Sequence, residues 1–218
     1  TPLYSSAASD VYKRQLIISL NVSIGSTLIS LVISLPFGVM IGINNFRGRQ
    51  FLVACIHALT SIPPVCAGLL VYLFISRSGP LGWTGILYTP LAMIVAQSII
   101  IIPIMVSLIL KNIEEDFISY KEELISYGAS FKNILVLLIK NKMTLYVTIA
   151  LVGFGRAISE YGAAAIVGGS IDHITRNVTA SIALETSKGN LDIAIGLGGI
   201  LIIISFMLSF MVNRRKLS

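Results

Sequence analysis

The feature that most constrains this chain is a succession of five apolar runs, each long enough to cross a bilayer. They cover residues 16–43, 51–76, 86–110, 143–167 and 193–212. A helix needs about 20 apolar residues to span the hydrocarbon core. Lipid offers a backbone no hydrogen-bond partners, so runs of this length must close their own bonds as helices. The first run would be about 42 Å long as a helix, so it must tilt or reach into the interface. Pro36, Pro63, Pro64 and Pro103 fall inside runs, which bundles in lipid tolerate better than soluble helices do. Gly25, Ser26 and Ser30 permit close helix contacts. Charged residues make up only 12% of the chain, against about 25% for a soluble domain that must cover its surface. The expected fold is an all-α integral membrane protein, a bundle of about five transmembrane helices.

The charges that remain set the orientation. The net charge is +6, but the basic residues stand at the ends of runs and form no continuous basic face, which excludes a nucleic-acid partner. Leaving aside residues 1–15 and Arg156 within a run, Arg47, Arg49, Lys111, Lys121, Lys132, Lys140, Lys142, Arg214, Arg215 and Lys216 fall on one side; Arg77, Arg176 and Lys188 fall on the other. The excess marks the cytoplasmic side. The first run therefore starts outside and the C-terminus lies in the cytoplasm. Cys55 and Cys66 share one run and lie about 16 Å apart along a helix axis, too far to pair. Two connections exceed simple turns, 111–142 inside and 168–192 outside, and long connections in compact proteins usually carry function.

Residues 1–15 are polar and unlike the rest of the chain. The stretch from Ser5 to Gln15, SSAASDVYKRQ, resembles the in-frame translation of a transposase sequencing adapter. We expect it to be an assembly scar, with a short disordered polar tail as the alternative, and take the membrane domain as residues 16–218, excluding 1–15 from structural reasoning.

The inner connection is the most informative segment. Phe117, Tyr120, Leu124 and Tyr127 recur at steps of three and four, interleaved with Glu114, Glu115, Lys121, Glu122 and Glu123. That is an amphipathic helix. Gly128 then allows a turn, and a second helical piece starts at Phe131. The acidic face argues against a helix lying on the membrane, since such helices are usually basic. A helix–glycine–helix knob suits docking to a partner.

The string EELISYGAS, starting at Glu122, resembles the EAA motif of ABC importer permeases. In that family a Glu is followed six residues later by Gly-Ala, and the motif forms the coupling helix that docks a nucleotide-binding subunit. The resemblance assigns coupling to Glu122, Glu123, Gly128, Ala129 and Ser130. Glu123 and Leu124 stand where the family has Ala-Ala, and no Pro occurs near Lys140. The strings RSGPLG from Arg77, LYTPLAM from Leu87, GFGRAISEYGA from Gly153 and IALETSKG from Ile182 are similar to the tungstate branch of these permeases; molybdate permeases share the Arg–Glu–Gly-Ala portion. The resemblance implies a MetI-like fold and a permease homodimer in a bacterial or archaeal plasma membrane. It also implies two ATPase subunits, which hold the ATP and Mg, and an external oxyanion-binding protein. Tungstate is the cargo it favours, with molybdate or sulfate as alternatives.

Arg156 and Glu160 lie in the fourth run, four residues apart. A charge at membrane depth costs at least about 2.5–3.5 kcal/mol on the insertion scale. The two can form a salt bridge that locks packing, or Arg156 can face the path and touch the anion; conduction requires any such contact to be weak. Pro63 and Pro64 should kink the second run, as a packing bend or a gate. His57 and His173 lack neighbours at metal-ligand spacing. Asn177-Val-Thr179 matches a glycosylation sequon. Gly168, Gly169, Ser170, Asp172, Arg176, Glu185 and Lys188 are candidate contacts for an external binding protein, or a solvated loop. No G-x-x-x-x-G-K-[ST] loop occurs, so ATP hydrolysis is expected on another subunit and the chain is not an enzyme by itself. The alternative class is a secondary transporter or channel, whose folds show inverted repeats; none is apparent.

Overall fold

The computed structural model describes the backbone of residues 2–126, 140 and 142–214, and the side chains of 11–115, 140 and 142–210. The described residues form α-helices and no strand. In order these are α1 (Pro2–Ile43), α2 (Arg49–Thr60), α3 (Pro64–Ile75), α4 (Pro90–Ser126), α5 (Met143–Ile158), α6 (Gly162–Gly168), α7 (Val178–Ser187) and α8 (Leu191–Arg214), with a 3₁₀ turn at Gly82–Thr84. Three helices are long and apolar enough to span a bilayer, and the two bent pairs α2–α3 and α5–α6 raise the number to as many as five.

The α4 helix is the centre of the bundle. Its apolar segment is 61% buried, against 11% for that of α8, so α4 meets protein where α8 presents its sides outward. Its most extensive neighbour is α1. The approach is close because small residues line the seam: a Cβ on Gly38 would stand 2.7 Å from Ile109 Cβ. Buried hydroxyls bind across the same seam, with Ser34 Oγ donating to the Ile102 carbonyl at 3.2 Å and Ser98 Oγ to that of Ser26 at 3.4 Å. Polar side chains of this kind hold helices together in lipid, where burial of apolar surface does not.

Four features differ from the sequence expectation. First, α4 does not end with the apolar run at residue 110; it continues unbroken to Ser126 over 37 residues, or about 55 Å. Hydropathy falls at Lys111, but residues 111–126 contain neither Gly nor Pro, so the hydrogen-bond ladder propagates through the polar stretch. Second, the run 143–167 is not one helix. It breaks after Ile158 and turns by 62° into α6, which leaves Glu160 in the break. Third, the connection 168–192 holds the helix α7, capped by Asn177, whose Oδ1 accepts the Ala180 N–H at 2.9 Å. Asn177 is buried, so the sequon is used as a helix cap. Fourth, α1 is helical from Pro2, so the stretch set aside as a scar continues a helix; its origin is a property of its codons, which backbone geometry does not address.

The run 51–76 breaks at Ser61–Ile62–Pro63, with α2 and α3 bent by 100°. Pro63 has no N–H to continue the ladder, and Pro64 opens α3 at the position where proline is well tolerated. Beyond the bend, Gly68 lies so close to α6 that a Cβ would come within 2.6 Å of Ala163 Cα. The two bent spans therefore pack at their breaks.

Candidate functional site

Two places carry polar chemistry where the fold is otherwise apolar. The deeper one is the break between α5 and α6. A helix end inside a bundle leaves carbonyls and N–H groups without intrahelical partners, and lipid supplies none. Here the protein supplies them. Gly155 and Arg156 carbonyls accept Ser159 Oγ at 2.9 and 3.1 Å. The Ala157 carbonyl accepts the Glu160 N–H at 3.2 Å and Gln97 Nε2 at 3.1 Å. Gln97 is in turn held by α1, since Ser26 Oγ donates to its Oε1 at 3.1 Å. On the other side of the break, Glu160 Oε1 accepts the Ala163 N–H at 3.3 Å, and its carbonyl accepts Thr179 Oγ1 at 3.3 Å.

The charges complete this arrangement. Arg156 Nη1 lies 3.4 Å from Glu160 Oε2, with the Arg side chain 39% exposed and the Glu side chain 6%. Arg156 stands in the last turn of α5, the negative end of that helix, and Glu160 precedes the first turn of α6, the positive end. Each charge thus opposes a helix dipole and pairs with the other. The space enclosed by Gln97, Ile100, Ile101, Arg156, Ala157 and Glu160 is too small for a water. In this conformation the pair is packed, and the free side of Arg156 faces out of the chain. Beside it, α5 and α8 border an open, largely apolar cavity of about 430 Å³ whose lining includes Ser159, Ser205 and Ser209.

The second place is the polar end of α4. Glu122 and Glu123 lie on its helical extension; Gly128, Ala129 and Ser130 lie outside the described residues. The base of the extension is tied to two other helices by one side chain. Arg49, the first residue of α2, places Nη2 3.1 Å from Glu114 Oε1 on α4 and donates from Nε to the Ile41 carbonyl of α1 at 3.0 Å.

The remaining candidates have structural partners. His57 Nδ1 lies 3.1 Å from Ser107 Oγ, and no metal-binding group occurs among the described residues. Arg176 pairs with Asp172 at 3.1 Å and donates to the Ser170 carbonyl. The buried Glu185 accepts Asn190 Nδ2 at 2.7 Å and Lys188 Nζ at 3.0 Å. Those two hydrogen bonds hold its carboxyl below the ordinary glutamate value. Sequence reasoning missed Gln97 and the Arg49–Glu114 tie. The signal for Gln97 was available, as the one amide in an otherwise apolar run. The tie had none, because its partners are far apart in the chain.

Comparison with known proteins adds an independent line. Residues 34–217 match the family described as "Binding-protein-dependent transport system inner membrane component". The chain is 38% identical over 199 residues to the tungstate uptake system permease protein TupB of Peptoclostridium acidaminophilum, covering 89% of this chain and 86% of that protein. A probable anion ABC transporter permease protein of Haloferax volcanii is 35% identical, covering 85% of this chain and 82% of its own. The TupB protein of Campylobacter jejuni is 35% identical, covering 79% and 72%.

Proposed function

We propose a function from one premise: the chain belongs to the family of binding-protein-dependent transport system inner membrane components. It is the permease subunit of an ATP-driven importer for a tetrahedral oxyanion, tungstate first. The cargo reading rests on its likeness to two tungstate permeases and one anion permease. Two copies of the chain form the conduit, two ATPase subunits drive it from the cytoplasm, and an external binding protein delivers the anion. The C-terminus and the extension of α4 lie in the cytoplasm, a placement supported by the excess of Lys and Arg at that end.

The observation that carries this reading is the continuity of α4. Glu122 lies about 18 Å beyond the end of the apolar run at residue 110 and about 38 Å from Gln97, on the same unbroken helix. A partner that grips Glu122 and Glu123, within a proposed coupling segment that also takes in Gly128, Ala129 and Ser130 outside the described residues, therefore holds one end of a rod. The other end is bonded through Gln97 to the broken span at Ala157. When ATP draws the two ATPase subunits together, the paired rods move, and the seam between the two permease copies opens outward. Arg156 is a packing charge in the closed arrangement. Pro63 and Pro64 set the bend that lets α3 rest on α6.

Co-purification tests the coupling. The tagged chain should retain an ATPase subunit, and Gly128→Trp should release it while the chain stays monodisperse. Retention of the ATPase by that variant would overturn the docking assignment.

A further inference from the structure

At the opposite end of α4 from Glu122, about 48 Å along the helix, the turns that join α3 to α4 enclose an open cavity of about 540 Å³. Tyr72, Ser76, Arg77, Ser78 and Tyr88 give it polar walls, and none of its lining residues is acidic. The turn is built independently of those side chains. The Gly79 N–H caps the Ser76 carbonyl at 2.8 Å, and the Leu81 N–H caps that of Phe74 at 2.9 Å. A Cβ at Gly79 would strike the Leu73 carbonyl, and one at Gly82 the Ser76 carbonyl, so glycine is what lets the turn close. Arg77 is not needed to end α3. It is also exposed and makes no ion pair among the described residues, whereas Arg49, Arg156 and Arg176 each meet a carboxylate.

Hydroxyls line the same wall, and that of Ser76 donates to the backbone. Ser78 Oγ lies 3.4 Å from Ser76 Oγ, and Ser76 Oγ is within 3.3 Å of the Leu73 carbonyl. The Tyr72 and Tyr88 phenols stand on the same wall. A planar guanidinium with surrounding O–H groups and no carboxylate matches a tetrahedral oxyanion. The cavity has room for on the order of ten waters, so an ion there keeps part of its shell. Weak holding of that kind suits a station that must also release.

We propose that this cavity is a receiving site for a tetrahedral dianion, held by Arg77 with help from the hydroxyls of Ser78, Tyr72 and Tyr88 before the ion enters the bundle. Its place on the entry path rests on the importer reading, which puts this end of α4 outside. A phospholipid phosphate has the same chemistry, and the test separates the two sources.

The chain contains a single tryptophan, Trp83, which is 84% exposed on the turn between Gly82 and Gly85, two glycines that line the cavity, so its fluorescence reports on that turn. The full-length chain in lipid-free dodecyl maltoside should bind added tungstate saturably, read by Trp83 fluorescence and by equilibrium dialysis with elemental detection. Arg77→Gln should weaken binding at least tenfold, with Arg77→Lys intermediate and melting temperature unchanged in both. Phosphatidylglycerol added to the micelles should leave tungstate binding intact; full displacement would make the site a lipid headgroup site and overturn the receiving role. Wild-type affinity in Arg77→Gln, or loss of binding in Arg156→Gln instead, would overturn the site itself. If Arg77→Gln binds tungstate normally but loses capture of the binding protein, Arg77 is a docking contact and the proposal fails. The assay uses neither ATP nor ATPase, so failure of coupling would leave its outcome unaffected.

Discussion

Glu160 has three duties at the break. Its carboxylate pairs with Arg156, caps the Ala163 N–H and sits at the positive end of α6. Breaking a fully buried ion pair costs about 3–5 kcal/mol; Arg156 is 39% exposed, so the loss here should be nearer about 1–3 kcal/mol. Glu160→Ala is therefore expected to lower the melting temperature in detergent by several degrees. The geometry also predicts that exchanging the charges, Arg156→Glu with Glu160→Arg, does not restore stability. Each swapped charge would face a helix end of its own sign. Restoration by the exchange would show that the pair, and not the helix ends, fixes these charges. Glu185 gives a pH signature. Its folded pKa is lowered from 4.5 by Asn190 and Lys188. Its contribution is therefore complete above about pH 5 and disappears as pH falls through the depressed folded value. Glu185→Gln should melt lower than the parent at pH 7, with the difference closing as the pH falls through the depressed folded value.

The element that organises the molecule is α4, and its continuity makes a prediction. Asn112→Pro removes a ladder hydrogen bond and clashes with the preceding turn, at a cost of about 3 kcal/mol, at the junction between apolar and polar halves. We expect the ATPase still to bind while the ratio of oxyanion imported to ATP hydrolysed falls at least tenfold. Arg49→Gln, which loses the tie to Glu114 and Ile41, should lower the same ratio by a smaller factor. An unchanged ratio in both variants, measured in proteoliposomes, would mean that force does not travel along α4. The apolar runs are plain in the sequence because hydropathy reports where lipid is. It does not report where a helix ends, so it hides both the extension of α4 to Ser126 and the break after Ile158. That break has no proline; it is held open by Gln97, Ser159 and Thr179. Gln97 and Thr179 act across long sequence separations that periodicity cannot register. The Arg156–Glu160 pair is legible because its partners are four residues apart.

At the scale of the whole molecule, polar groups concentrate at the two ends of α4 and at one break between them. One end carries the acidic segment proposed for coupling, and the other carries a cavity with an unpaired guanidinium among the described residues. The α8 helix leaves most of its surface outside the chain's own core. The decisive measurement is oxyanion uptake into proteoliposomes that hold the permease with its ATPase, with the binding protein outside. The account predicts tungstate accumulation that requires ATP on the ATPase side and vanishes in Gly128→Trp. Equal uptake without ATP, or full ATP-driven uptake in that variant, would contradict it.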